Sequence, residues 1–87
     1  MGRPRKYDEV LLAHIRAAGS DGKSLLEIEA EEDAVELNAR SLKSAAARLF
    51  QEGHLVRQFE LVDGGGYIFR QYRYWETKSG PAGAERA

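Results

Sequence analysis

The chain has 87 residues, 43% of them hydrophobic and 31% charged, enough for one globular core and too few for a second. It contains no cysteine, which excludes a disulfide framework, a thiolate metal site and a cysteine nucleophile. No apolar run nears the roughly 20 residues of a membrane-spanning helix. The formal charge of −1 conceals a segregation. Residues 21–36 carry Asp21, Glu27, Glu29, Glu31, Glu32, Asp33 and Glu36 against Lys23 alone, whereas the rest of the chain is net basic at +5. An anionic polymer responds to such a local face and not to the total. The basic start lacks an apolar h-region, so a secretory signal is not expected and a cytoplasmic, nucleoid-associated location is.

Residues 1–6, Met-Gly-Arg-Pro-Arg-Lys, show no apolar periodicity and are expected to form a flexible basic arm. Tyr7, Val10, Leu11, His14, Ile15 and Ala18 then recur at helical spacing, giving one apolar stripe on a helix over about 8–18. Asp8 and Glu9 suit the positive end of its dipole, and Gly19 is a natural stop. After the turn Gly19-Ser-Asp-Gly22, Ser24-Leu-Leu-Glu27 matches a capping box and predicts a short helix that fades near residue 33. Asn38 can cap a third helix, whose Leu42, Ala45, Ala46, Leu49 and Phe50 form a buried stripe and which Gly53 ends. Its opposite face carries Arg40, Lys43, Ser44, Ala47, Arg48 and Gln51. From Leu55 the period changes to two, Asp63-Gly-Gly-Gly66 supplies hairpin turn chemistry, and Tyr67 to Trp75 forms a second β run dense in aromatics. Residues 78–87 are expected to be a disordered tail.

An α+β chain of three helices followed by a long β-hairpin resembles the winged helix-turn-helix. The segment from Leu37 to Arg57 is similar to the recognition helix and first wing strand of bacterial winged-helix regulators, with a Leu-x-x-x-Gly-x-Leu-Val-Arg pattern from Leu49 to Arg57. The domain so defined spans residues 7–77. The stretch between the second and third helices is longer than a tight helix-turn-helix linker and lacks its glycine, and the second helix is more acidic than is common in the family. Gly2-Arg3-Pro4 resembles the core of an AT-hook, although Met1 stands where that core has an arginine.

What the resemblance implies is a double-stranded DNA-binding protein, a transcriptional regulator or nucleoid-associated protein. Its third helix would enter the major groove with Arg40, Ser41, Lys43, Ser44 and Arg48, since Arg and Lys donate to guanine or to phosphates. The arm would supply Arg3, Arg5 and Lys6 to the minor groove or flanking backbone. The wing would add Arg70 and Arg73. The alternative is a protein-interaction winged helix, a subunit or small inhibitor using the acidic second helix and the aromatic wing. Alternation sets Tyr67, Phe69, Gln71, Arg73 and Trp75 against Ile68, Arg70, Tyr72 and Tyr74, so both wing faces carry rings and one of them points to a partner surface such as a homodimer contact.

Catalysis finds little in these residues. His14 lies on an apolar stripe, where a core histidine is expected, and His54 falls in a turn. Two histidines so placed make no zinc site, and the triple glycine lacks the Gly-Lys-Ser/Thr ending of a phosphate loop. No enzyme activity, cofactor or metal is expected.

Overall fold

The structure, a computed structural model, describes residues 6–31 and 39–87, apart from the side chains of Lys6 and Ala39. Helix α1 (Lys6–Ala18) leads through a single 3-10 turn (Gly19–Asp21) into a two-residue strand β1 (Lys23–Ser24). Helices α2 (Leu25–Glu31) and α3 (Ala39–Gln51) follow, and strands β2 (Leu55–Asp63) and β3 (Ile68–Glu76) form a hairpin. The described residues thus make an α+β arrangement of three α-helices and one antiparallel sheet of order β1-β3-β2, a layout compatible with a winged helix.

Local chemistry explains most of these boundaries. Gly19, at φ +58°, ends α1 in a conformation that side chains resist. Ser24 Oγ accepts from the N–H of Glu27 at 3.3 Å while Glu27 Oε1 accepts from the N–H of Ser24 at 2.9 Å, the reciprocal capping box expected at the start of α2. Helix α3 closes in a Schellman motif: His54 N–H donates to the Leu49 carbonyl at 2.9 Å and Gly53 N–H to that of Phe50 at 3.1 Å, with Gly53 at φ +85°. The expected Asn38 cap and the fading end of the second helix lie outside the described residues.

One core sits between the helices and one sheet face. Leu11 and Ile15 of α1, Ile28 of α2, and Leu42, Ala45, Ala46 and Leu49 of α3 pack on Leu55 and Tyr74. The hairpin register, from Leu55↔Glu76 to Asp63↔Ile68, places Leu55, Arg57, Phe59 and Leu61 with Tyr74, Tyr72 and Arg70 on that helix-facing side. Val56, Gln58, Glu60 and Val62 share the reverse side with Trp75, Arg73, Gln71 and Phe69.

The reverse side is where the chain departs most from expectation. Residues 78–87, expected to be a disordered tail, lie instead against β2. Glu85 and Arg57 exchange backbone hydrogen bonds of 2.7 and 3.1 Å, and Ala84 is buried with Val56 and Trp75 in a second small cluster. A Cβ on Gly80 would meet Val56 Cγ2 at 2.2 Å, so the tail approaches the sheet as closely as a glycine permits. Strand β1 also went unforeseen; it adds Lys23↔Tyr74 and Ser24↔Arg73 to the far edge of β3.

Candidate nucleic-acid interface

The exposed face of α3 is set by the same spacing that buries the other. With Leu42, Ala45, Ala46, Leu49 and Phe50 turned inward, Arg40, Lys43, Ser44, Ala47, Arg48 and Gln51 are all exposed, and Ser41 is half-buried between them. The α2 carboxylates do not neutralise this face. Glu27 bonds Arg73 and Glu31 bonds Lys23 and His14, while neither Arg40 nor Lys43 forms an ion pair among the described residues. Pairing between the basic third helix and the acidic second helix is therefore absent for Glu27 and Glu31.

Arg48 differs from its neighbours. Its guanidinium grips Asp8 of α1 through Nη2 to Oδ1 and through Nε to Oδ2 at 3.4 Å. The carboxylate holds the Arg48 pKa above its ordinary value. Asp8 is only 4% exposed, so this fork ties the start of α1 to the last turn of α3 and leaves only part of Arg48 to solvent.

Lys43 and Arg70 meet across an open groove of about 400 Å³, walled also by Leu25, Leu26, Phe59 and Tyr72. Leu25 and Leu26 of α2 with Lys43 of α3 form one side and the hairpin the other. The described candidates Arg40, Lys43, Ser44 and Arg70 are thus exposed on α3 and the helix-facing side of the hairpin. Lys6 is the first residue of α1, so it extends a helix and is not part of an arm; Arg3 and Arg5 lie outside the described residues.

Arg73 does not join this group. It lies on the reverse side, where Nε donates to both oxygens of Glu60 at 3.0 and 3.2 Å and Nη1 and Nη2 donate to Glu27 at 2.9 and 3.3 Å. Nη1 also reaches the carbonyls of Gly22 and Asp21 at 3.2 and 3.4 Å. These acceptors raise the Arg73 pKa, Glu60 foremost. The Ser24 backbone N–H, then Arg73, holds the Glu27 carboxyl below the usual range. For Glu60, partial burial works upward but the hydrogen bonds from Arg73 and Gln71 prevail and lower it. Arg73 is a clamp between the hairpin and the α2 start, in contrast to the phosphate-facing role expected of it. The β-alternation that separates Arg70 from Arg73 carried this signal.

Arg57 is the residue whose role the linear pattern did not disclose. Its guanidinium lies between the rings of Phe50 at 3.8 Å and Tyr72 at 4.1 Å, and its Nε and Nη2 each reach Glu85 at 3.3 Å. His14 is not a core histidine: its Nδ1 lies 3.2 Å from Glu31 at the rim of the helical layer. His54 is exposed in the turn after α3, as expected. Among the described residues no three His, Asp or Glu side chains could hold a metal ion, and no helix is long and apolar enough to cross a membrane.

No protein-family model, curated protein or solved structure matches this chain.

Proposed function

We propose that this chain is a winged-helix protein that binds double-stranded DNA, with α3 in the major groove, as a transcriptional regulator or nucleoid-associated protein. The observation that carries the reading is the exposed face of α3, which offers Arg40, Lys43 and Ser44 beside small Ala47 while the α2 carboxylates Glu27 and Glu31 are spent on other partners. A helix with short side chains between its cations can approach base edges closely. Arg70 stands across the groove from Lys43, where it would meet flanking phosphates. Arg3 and Arg5 add basic charge ahead of α1, and Lys6 adds it at the helix's first residue. This is a binding role, with no catalysis and no cofactor.

Fluorescence anisotropy against A·T-rich, G·C-rich and random duplexes across a salt series tests it. The expected result is binding that weakens steeply with salt, and Arg40→Ala and Lys43→Ala variants that each flatten the salt slope by about one phosphate contact. Absence of binding at low salt overturns the proposal.

A second reading is a protein-interaction module. It is favoured by the outer half of the hairpin, where Phe59, Leu61 and Ile68 are exposed on the side that faces α3. Under that reading Glu29→Lys with Glu32→Lys abolishes capture of a basic protein partner, while any DNA affinity rises.

A further inference from the structure

Strand β2 is paired unevenly. Its inner edge runs against β3 without a bulge for nine residues, Leu55 to Asp63. On its outer edge Arg57 exchanges both backbone hydrogen bonds with Glu85. Alternate residues of an antiparallel strand direct their N–H and C=O groups to the same edge, so Phe59, Leu61 and Asp63 point outward as Arg57 does. Beyond Glu85, no backbone partner among the described residues meets these three.

The hairpin tip around this edge is rich in exposed apolar side chains, although Glu60 and Asp63 lie within the strand. Phe59 is 55% exposed, Leu61 71%, Tyr67 64% and Ile68 70%, four of the five large hydrophobic residues exposed among those described. Proteins blunt a long apolar edge strand with a bulge, a proline, a lysine or a covering segment. Residues 59–63 contain neither proline nor lysine, and the C-terminal segment covers the edge only at Arg57.

We infer that the outer edge of β2 pairs with β2 of a second copy of this chain, antiparallel about a two-fold axis at Leu61. The geometry selects both the occupant and the register. Outward-facing residues must lie opposite outward-facing residues, so the axis can fall at Phe59, Glu60, Leu61 or Val62. An axis at Phe59 or Glu60 sets Leu61 or Asp63 of the other copy in the place that Glu85 occupies beside Arg57. An axis at Val62 leaves Phe59 opposite the glycine turn. Only the axis at Leu61 uses all three free residues on each strand, pairing Leu61 with Leu61 and Phe59 with Asp63 of the other copy. That Asp63 then lies diagonally across from Arg57, an opposite-charge pair of the kind that supports strand pairing. The contact is isologous, as a two-fold dimer requires, and joins the two sheets into one of six strands. The inference does not rest on DNA binding.

The test is the mass of the full chain by multi-angle light scattering across a concentration series, with circular dichroism as the check on folding. The expected result is a particle of twice 9.7 kDa that dissociates on dilution. Leu61→Lys, at a solvent-exposed position that sets two ammonium groups on the axis, is expected to be a folded monomer. A monomeric wild-type chain, or a Leu61→Lys chain that stays dimeric, overturns the inference. Cysteine crosslinking keeps the register testable whatever that variant does. Opposed residues of such a pair have Cα atoms about 5.5 Å apart, so a short bifunctional thiol reagent joins Leu61→Cys chains. Phe59→Cys chains lie four residues out of step, roughly 13 Å along the strands, and are not joined. Crosslinking through position 59 and not through 61 overturns the assignment. DNA affinity is read separately, so loss of the dimer and loss of the α3 proposal are distinct results.

Discussion

Gly22 is a position where the effect of one added carbon can be worked out. A Cβ there would lie 2.6 Å from Cε2 and 2.7 Å from Nε1 of Trp75, and 2.9 Å from Cγ of Arg73. Neither neighbour can yield easily. The indole N–H donates to the Ser20 carbonyl at 2.9 Å while the ring packs with Val56 and Ala84, and the Arg73 guanidinium is held by Glu27 and Glu60. Gly22 is also at φ +69°, ψ −179°, an extended positive-φ conformation essentially restricted to glycine, which adds about 1–3 kcal/mol for any residue with a Cβ. Displacing packed groups adds roughly 1–3 kcal/mol, and the stiffer unfolded chain returns about 0.4–1 kcal/mol. Gly22→Ala is therefore expected to lose roughly 1–5 kcal/mol, a large share of the stability of so small a domain. Gly53 is the comparison, because it too has a positive φ, +85°, but sits in the helix-closing turn with nothing within 4 Å of its Cβ; Gly53→Ala is expected to lose only about 1 kcal/mol. Urea unfolding followed through the single tryptophan measures both. Equal losses in the two variants would refute the packing argument, whatever their size.

Three further outcomes follow from the ion pairs and the C-terminal segment. Glu27 and Glu60 have pKa values below their usual 4.5 in the folded chain, so the unfolded chain binds more protons there and stability is lost as pH falls below about 4.5; thermal melts of Arg73→Gln are expected to lose much of that acid dependence, and an unchanged slope would count against the clamp. Asp8→Ala frees Arg48 for other acceptors, so it is expected to cost roughly 1 kcal/mol of stability while DNA affinity rises; a fall in affinity with the fold intact would show that Asp8 positions Arg48 productively. Removing residues 80–87 exposes Val56 and Trp75 and deletes two backbone hydrogen bonds, with an expected loss of roughly 1–2 kcal/mol and a red shift in tryptophan emission. Unchanged emission would mean that the segment does not cover the ring.

The sequence by itself determined the elements that local physics decides. Apolar spacing defined the buried faces of α1 and α3, Ser24 and Glu27 marked the start of α2, Gly53 closed α3, and the run of glycines after Asp63 turned the hairpin. Each involves residues within a few positions of one another, where backbone geometry leaves few choices. Alternation likewise sorted the β3 side chains correctly onto two faces. What only the tertiary structure decided was which distant groups meet. Strand β1 is two residues long and exists through its pairing with β3, which no local pattern encodes. Residues 78–87 lack periodicity, yet they cover Val56 and Trp75 because the hairpin presents an open edge and an uncovered ring. Arg48 and Arg73 read as free cations along the chain, but their partners Asp8, Glu27 and Glu60 are brought to them by folding, at separations of 40, 46 and 13 residues. A charge declares its sign in the sequence; whether it faces solvent or a carboxylate depends on the packing of the whole.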